Sequence, residues 1–155
     1  MEQIYATLEG KRELEKRLKD LISKRADIAA QIKTAREFGD LRENAEYAAA
    51  REAQNNLEME ISEIEATLPN IKLFNYAKVC TDKVNIGTKV TVEITGRGKQ
   101  DIVVTGILER DTERGYLSYQ SPVGSALLGK VVGDVVEVKV PAGKLKYKIV
   151  KIGRV

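Results

Sequence analysis

Two runs of apolar residues at heptad spacing, parted by a few residues without period, leave the first half of this chain little choice of fold. From Leu14 the apolar positions fall at Leu18, Leu21, Ile28, Ile32 and Ala35, with Arg25 standing where the seam calls for an apolar side chain. The second run is Tyr47, Ala50, Gln54, Leu57, Ile61, Ile64 and Leu68, again in steps of three and four, with Gln54 its polar member. Such a stripe, with charge on the other faces, describes helices that bury one seam. No proline precedes Pro69 to break either run. The residues around Phe38 to Arg42 are too few for anything but a reversal, so the helices are expected to pack antiparallel as a coiled-coil hairpin.

The first helix is predicted from about Leu8 to Phe38, with Thr7 as its cap. At ~1.5 Å per residue it would be on the order of 45 Å long, an arm more than a core. Arg25 and Gln54, the polar members of the seams, are expected to fix register or orientation.

After LPNIKLFNYAK the period changes to two. Val90, Val92 and Ile94 alternate with Thr91 and Glu93, and Val136, Val138 and Val140 alternate with Glu137 and Lys139, the pattern of half-buried strands. Residues 101–108 (DIVVTGIL) and 145–152 (LKYKIVKI) read as two more, with turns at the GRGK and PAG segments. Ser121 and Pro122 open, and Gly129 closes, a short helix in the order of cap, first-turn proline and terminal glycine. The expected class is α+β: a hairpin over 1–76, then a small antiparallel sheet with one short helix over 77–155.

Composition narrows the chemistry. There is no histidine and one cysteine, Cys80, so an internal disulfide, the usual zinc sites and histidine acid–base catalysis are excluded. Cys80 itself is expected to be a buried or edge-strand thiol. No apolar run suits a membrane span and the opening residues lack the pattern of a secretory signal, which points to a cytoplasmic protein with no membrane partner. Charge is unevenly shared: residues 1–76 hold 12 Lys and Arg against 15 Asp and Glu, residues 77–155 hold 14 against 8. A basic second half can favour a polyanion or can be a solvated surface.

The turn itself, FGDLRE over 38–43, admits two readings. Asp40 can cap the second helix while Glu43, three residues on, reaches back in a capping-box arrangement, with Gly39 permitting the reversal. Alternatively, two carboxylates at the end of an arm can complete the oxygen shell of a magnesium ion held mainly by another molecule. Arg36 and Arg51 can likewise pair with Glu37 and Glu52 or be free for a ligand. Tyr47 starts the second seam, and packing is its first explanation.

The block AREFGDLRENAEYAAAREAQ resembles one signature of the GreA/GreB family of bacterial transcript cleavage factors, and SPVGSALLGKVVGDVVEVKVPAGKLKYKIVKI is similar to the other. The resemblance spans nearly the whole chain and implies a C-terminal domain of FKBP-like fold bound to RNA polymerase. It further implies a monomer whose coiled coil enters the polymerase secondary channel and stimulates cleavage of backtracked RNA, the chain being no enzyme alone. Carried over by residue, Asp40 and Glu43 would help hold the second magnesium ion, shared with polymerase, with no cofactor of the chain's own. Arg36 and Arg51 would be the candidates for contacting the RNA 3′ end. Two other classes stay in view: a secondary-channel regulator that promotes no cleavage, and a prolyl isomerase or chaperone. Residues 77–155 contain no Phe or Trp, which disfavours a proline pocket.

Overall fold

Thr7 opens the first long helix as the sequence predicts. Its Oγ1 accepts a hydrogen bond from Gly10 N at 3.1 Å, while its own N and Oγ1 donate to Glu109 Oε1 at 2.7 and 2.8 Å. The computed structural model describes residues 3–39 and 44–155. Helix α1 runs Leu8–Arg36, two residues short of the expected end, and α2 runs Ala45–Thr67. Ahead of α1 lies strand β1 (Ile4–Ala6), and after α2 lies β2 (Ile71–Leu73), which pairs with β1 in parallel.

The seams are where the periodicity puts them. Leu21, Leu57, Ile61 and Ile64 form the buried centre of the hairpin, and Leu14, Leu18, Ile28 and Leu68 pack on it half-buried. The polar interruption at Arg25 makes a forked bond across the helices, with Nε on Glu58 Oε1 at 2.8 Å and Nη2 on Oε2 at 2.9 Å. Arg17 reaches Glu60 across the helices as well, with Nε and Nη2 both donating to Oε1, at 2.9 and 2.6 Å. Early α1 thus meets late α2, the antiparallel order expected.

The second sheet has five strands in the order β5-β4-β3-β7-β6: β3 (Thr88–Ile94), β4 (Gly98–Thr105), β5 (Tyr116–Ser118), β6 (Val135–Val140) and β7 (Gly143–Arg154). The β3–β4, β3–β7 and β6–β7 pairings are antiparallel; β4–β5 is parallel, which the alternation pattern did not foretell. Strand β4 also lies three residues earlier than expected, because Gly98, with φ of 78°, already belongs to it. The inward residues Val90, Val92, Ile94, Ile102, Val104 and Ile149 are buried and form one cluster with Leu127 of helix α3 (Pro122–Leu127). Ser121 caps α3, its Oγ accepting from Gly124 N at 3.0 Å, and Gly129 takes the left-handed φ of 82° just past its end.

Two compact units result, Met1–Lys11 with Ile71–Val155, and Arg12–Asn70. The β1–β2 pairing and the bonds of Thr7 to Glu109 join the first residues to the sheet unit. Cys80 corrects an expectation: it is exposed and outside any strand, in the irregular segment before β3. Among the described residues no helix is long and apolar enough to cross a membrane.

Candidate functional site

Between the end of α1 and the start of α2 the chain reverses, and the two ends are tied by one side chain. Helix α1 closes on Glu37 N to Thr34 O and Phe38 N to Ala35 O, both 3.2 Å. Gly39 follows with φ of 110°, a conformation costly for a residue with a Cβ. Asn44 then caps α2: its Oδ1 accepts from Tyr47 N at 3.1 Å, and its Nδ2 donates to Ala35 O at 2.6 Å. The same amide thus satisfies a free N–H of α2 and adds a second donor to the Ala35 carbonyl, which already accepts from Phe38 N, at the end of α1.

That finding corrects the capping-box reading. Helix α2 starts at Ala45, so the cap falls on Asn44, four residues beyond Asp40. Asp40 and Glu43 themselves lie outside the described residues. With the cap assigned to Asn44, the pair loses its structural explanation as cap and box partner of α2. Asn44 escaped the sequence reading, although the signal was there: an asparagine three residues ahead of Tyr47, the first member of the seam.

Of the readings left open for the two arginines, pairing with Glu37 and Glu52 is not the one found. The Arg36 guanidinium stands over the Tyr47 ring, 5.8 Å from its centroid, and Arg51 Nη1 donates to Gln54 Oε1 at 2.8 Å. Neither makes an ion pair with Glu37 or Glu52. Tyr47 is therefore more than a seam residue, since it steadies a cation at the tip, and Gln54 is accounted for as the partner of Arg51. Phe38, 71% exposed, stands open beside them.

Residues 4–73 match the family described as transcription elongation factor, N-terminal, and residues 79–154 match transcription elongation factor, GreA/GreB, C-term. The chain belongs to the GreA/GreB family. It is 42% identical over 151 residues to the transcription elongation factor GreA of Thermoanaerobacter pseudethanolicus, covering 96% of each chain. To that of Caldanaerobacter subterraneus it is 41% identical over 153 residues, covering 97% of this chain and 98% of the relative. To that of Solidesulfovibrio magneticus it is 42% identical over 153 residues, covering 98% and 93%.

Among the described residues no group of three or more His, Cys, Asp or Glu side chains is placed to hold a metal ion. The donor set in question, the Asp40 and Glu43 carboxylates, consists of hard oxygen ligands of the type magnesium takes, though it falls short of a full octahedral shell.

Proposed function

We propose that this GreA/GreB family member is a transcription elongation factor that binds RNA polymerase and enters its secondary channel with the coiled-coil hairpin. There it stimulates the polymerase's own cleavage of backtracked RNA and so rescues arrested complexes. The observation that carries the reading is the tie at the hairpin turn. Asn44 takes the capping role, so Asp40 and Glu43, in the family's signature, are left without a structural duty in α2.

Asp40 and Glu43 would hold, together with polymerase, the second magnesium ion; in two-metal phosphodiester hydrolysis one ion supplies activation of water and the other stabilisation of the leaving oxygen. The chain's own contribution is positional. Two carboxylates delivered by the hairpin would raise the local concentration of ligand where the polymerase site is incomplete, and orientation of that kind can be worth several orders of magnitude in rate. Arg36, steadied by Tyr47, and Arg51, with donors left beyond the one on Gln54, are suited to the phosphates of the extruded RNA 3′ end. A chain without histidine needs no general base of its own in this scheme. It acts as a monomer beside polymerase in the cytoplasm, not as an enzyme alone.

The test is RNA release from stalled, backtracked complexes with the wild type, Asp40→Ala and Glu43→Ala. Cleavage should collapse in both variants while polymerase binding persists. Equal cleavage in all three would sink the mechanism, and inhibited elongation without cleavage in the wild type would make the chain a non-cleaving channel regulator.

A further inference from the structure

Strand β4 ends at Thr105, and in the connection that follows it Glu109 turns its carboxylate back onto the start of α1. Oε1 takes two charge-assisted hydrogen bonds there, from Thr7 N at 2.7 Å and from Thr7 Oγ1 at 2.8 Å. Thr7 Oγ1 in turn accepts from Gly10 N, so the cap of the helix is itself held by an acid at the positive end of the helix dipole. Oε2 is buried and has no hydrogen-bond partner among the described residues. A buried oxygen left so costs stability, which makes a carboxylate a poor choice where packing alone is at stake.

Two glycines make room for that carboxylate. Gly10 lies in the first turn of α1, where glycine is a poorer helix former than any residue but proline, and a Cβ there would overlap Glu109 Oε1. Gly106 has no positive φ to explain it, yet a Cβ there would overlap both Glu109 Oε2 and the Tyr5 carbonyl and press on Phe74 Cε1. The β1–β2 pairing stops at Ala6 and Leu73, with Phe74 N donating to Ala6 O at 3.0 Å just beyond it. Among the described residues no hydrogen bond other than the two from Thr7 to Glu109 joins residues 7–11 to residues 71–155. Residues 8–11 are the part of α1 that belongs to the sheet unit, and the helix runs on unbroken to Arg36, four residues before Asp40.

We infer that Glu109 is a positioning residue for the cleavage reaction: it fixes the first turn of α1 on the sheet unit, and with it the heading of the helix that leads to Asp40 and Glu43. This rests on the function proposed above for that acid pair. A continuous helix is a lever, and over ~43 Å a tilt of about 5° at its root moves its far end by about 4 Å. Groups that take part in chemistry must stand within about 0.5 Å of their productive place. A tie at the root therefore decides whether the far end is in position. The plainer reading, in which Glu109 only caps α1, is the weaker one. Thr7 already caps that helix, and what an acid behind Thr7 adds is attachment to the sheet unit.

The experiment uses the full chain in the backtracked-complex assay, titrated to saturation. Glu109→Ala should lower the maximal cleavage rate about tenfold or more and leave the concentration for half effect unchanged, because a misplaced ligand costs rate and not docking. Glu109→Gln keeps an acceptor for both bonds of Thr7 and should recover most of that rate. Gly10→Ala favours the helix locally and should nonetheless lose cleavage as Glu109→Ala does. The two changes combined remove the overlap, so that variant should fold and still cleave poorly. A second measurement is independent of cleavage. Spin labels at Cys80, exposed and the single cysteine, and at Ala48→Cys, exposed near the start of α2, should give a distance distribution that broadens in Glu109→Ala. Cleavage kept in Glu109→Ala, in Gly10→Ala or in their combination, an unbroadened distribution, a raised half-effect concentration at unchanged maximal rate, or Gln as poor as Ala would each overturn the inference. Asp40→Ala in the same assay keeps the two readings apart. Cleavage intact there removes the proposed function; cleavage lost there and intact in Glu109→Ala removes only the role of Glu109.

Discussion

The hairpin and the sheet unit solve the placing of polar groups in opposite ways. In the sheet unit the polar residues are segregated: Val90, Val92 and Ile149 are fully buried on one face, and lysines take the other. In the hairpin the polar residues stand in or beside the seam, as with Arg25 on Glu58, Gln54 on Arg51 and Asn44 on Ala35. A two-helix seam buries too little apolar area to fix its own register, so directional bonds add what packing does not. Substitutions should therefore act by volume in one unit and by geometry in the other.

The largest effect tests that separation. Ile149→Ala, at a residue fully buried in the sheet core, should cost about 2–5 kcal/mol. Ile61→Ala, 1% exposed at the centre of the hairpin seam, should fall toward the lower end of that range, because two helices close more readily on a small void. Hydrogen exchange resolved along the chain is the measurement. Ile149→Ala should speed exchange in β3, β4 and β7 and spare residues 12–70, and Ile61→Ala should do the reverse. A uniform loss of protection in either variant would show one cooperative unit and break the contrast.

A smaller effect is expected at Asn44, where geometry is the issue. Asn44→Ala removes the cap and the bond to Ala35 O, together about 1–2 kcal/mol of local stability. Asn44→Asp retains an acceptor for Tyr47 N and loses only the donor to Ala35. If the tie positions the turn, both variants should lower cleavage, and raised magnesium should recover much of it, while polymerase binding is unchanged. Full activity in Asn44→Asp would leave Asn44 as a helix cap and nothing more.

These residues also show what the sequence could reveal. Both seams, the Thr7 cap, and the Ser121, Pro122 and Gly129 punctuation of α3 were legible because each is local, a period or a short-range bond. The β1–β2 pair was not. Three residues at Ile4–Ala6 carry no usable period, and their partner lies 67 positions away at Ile71–Leu73. The parallel β5 and the bulge at Val150 were hidden for the same reason, since both are decided by the neighbouring strand. At the turn, the sequence offered two acids and an asparagine for one capping role. Only the bonds that Asn44 makes to Tyr47 N and Ala35 O assign it.

The smallest expected effect concerns Arg25. Its forked bond holds the Glu58 carboxyl below the ordinary glutamate range, chiefly through the hydrogen bond itself and less through the bare charge, and Glu58 in turn raises Arg25. A carboxyl whose folded pKa is depressed lends stability that is fully present above its unfolded pKa and fades as pH falls through the folded value. The hairpin of the wild type should therefore lose a little stability on acidification below the ordinary glutamate range. Arg25→Gln should remove that part of the pH dependence. Both side chains are exposed, so solvent and salt screen the pair and the shift in melting temperature should be slight. The telling comparison is with Arg25→Leu, which fills the seam as the heptad asks. If Leu raises hairpin stability at neutral pH but broadens exchange near Glu58, the arginine is kept for register. A stabilised hairpin with unchanged exchange would show that register rests on the apolar seam alone.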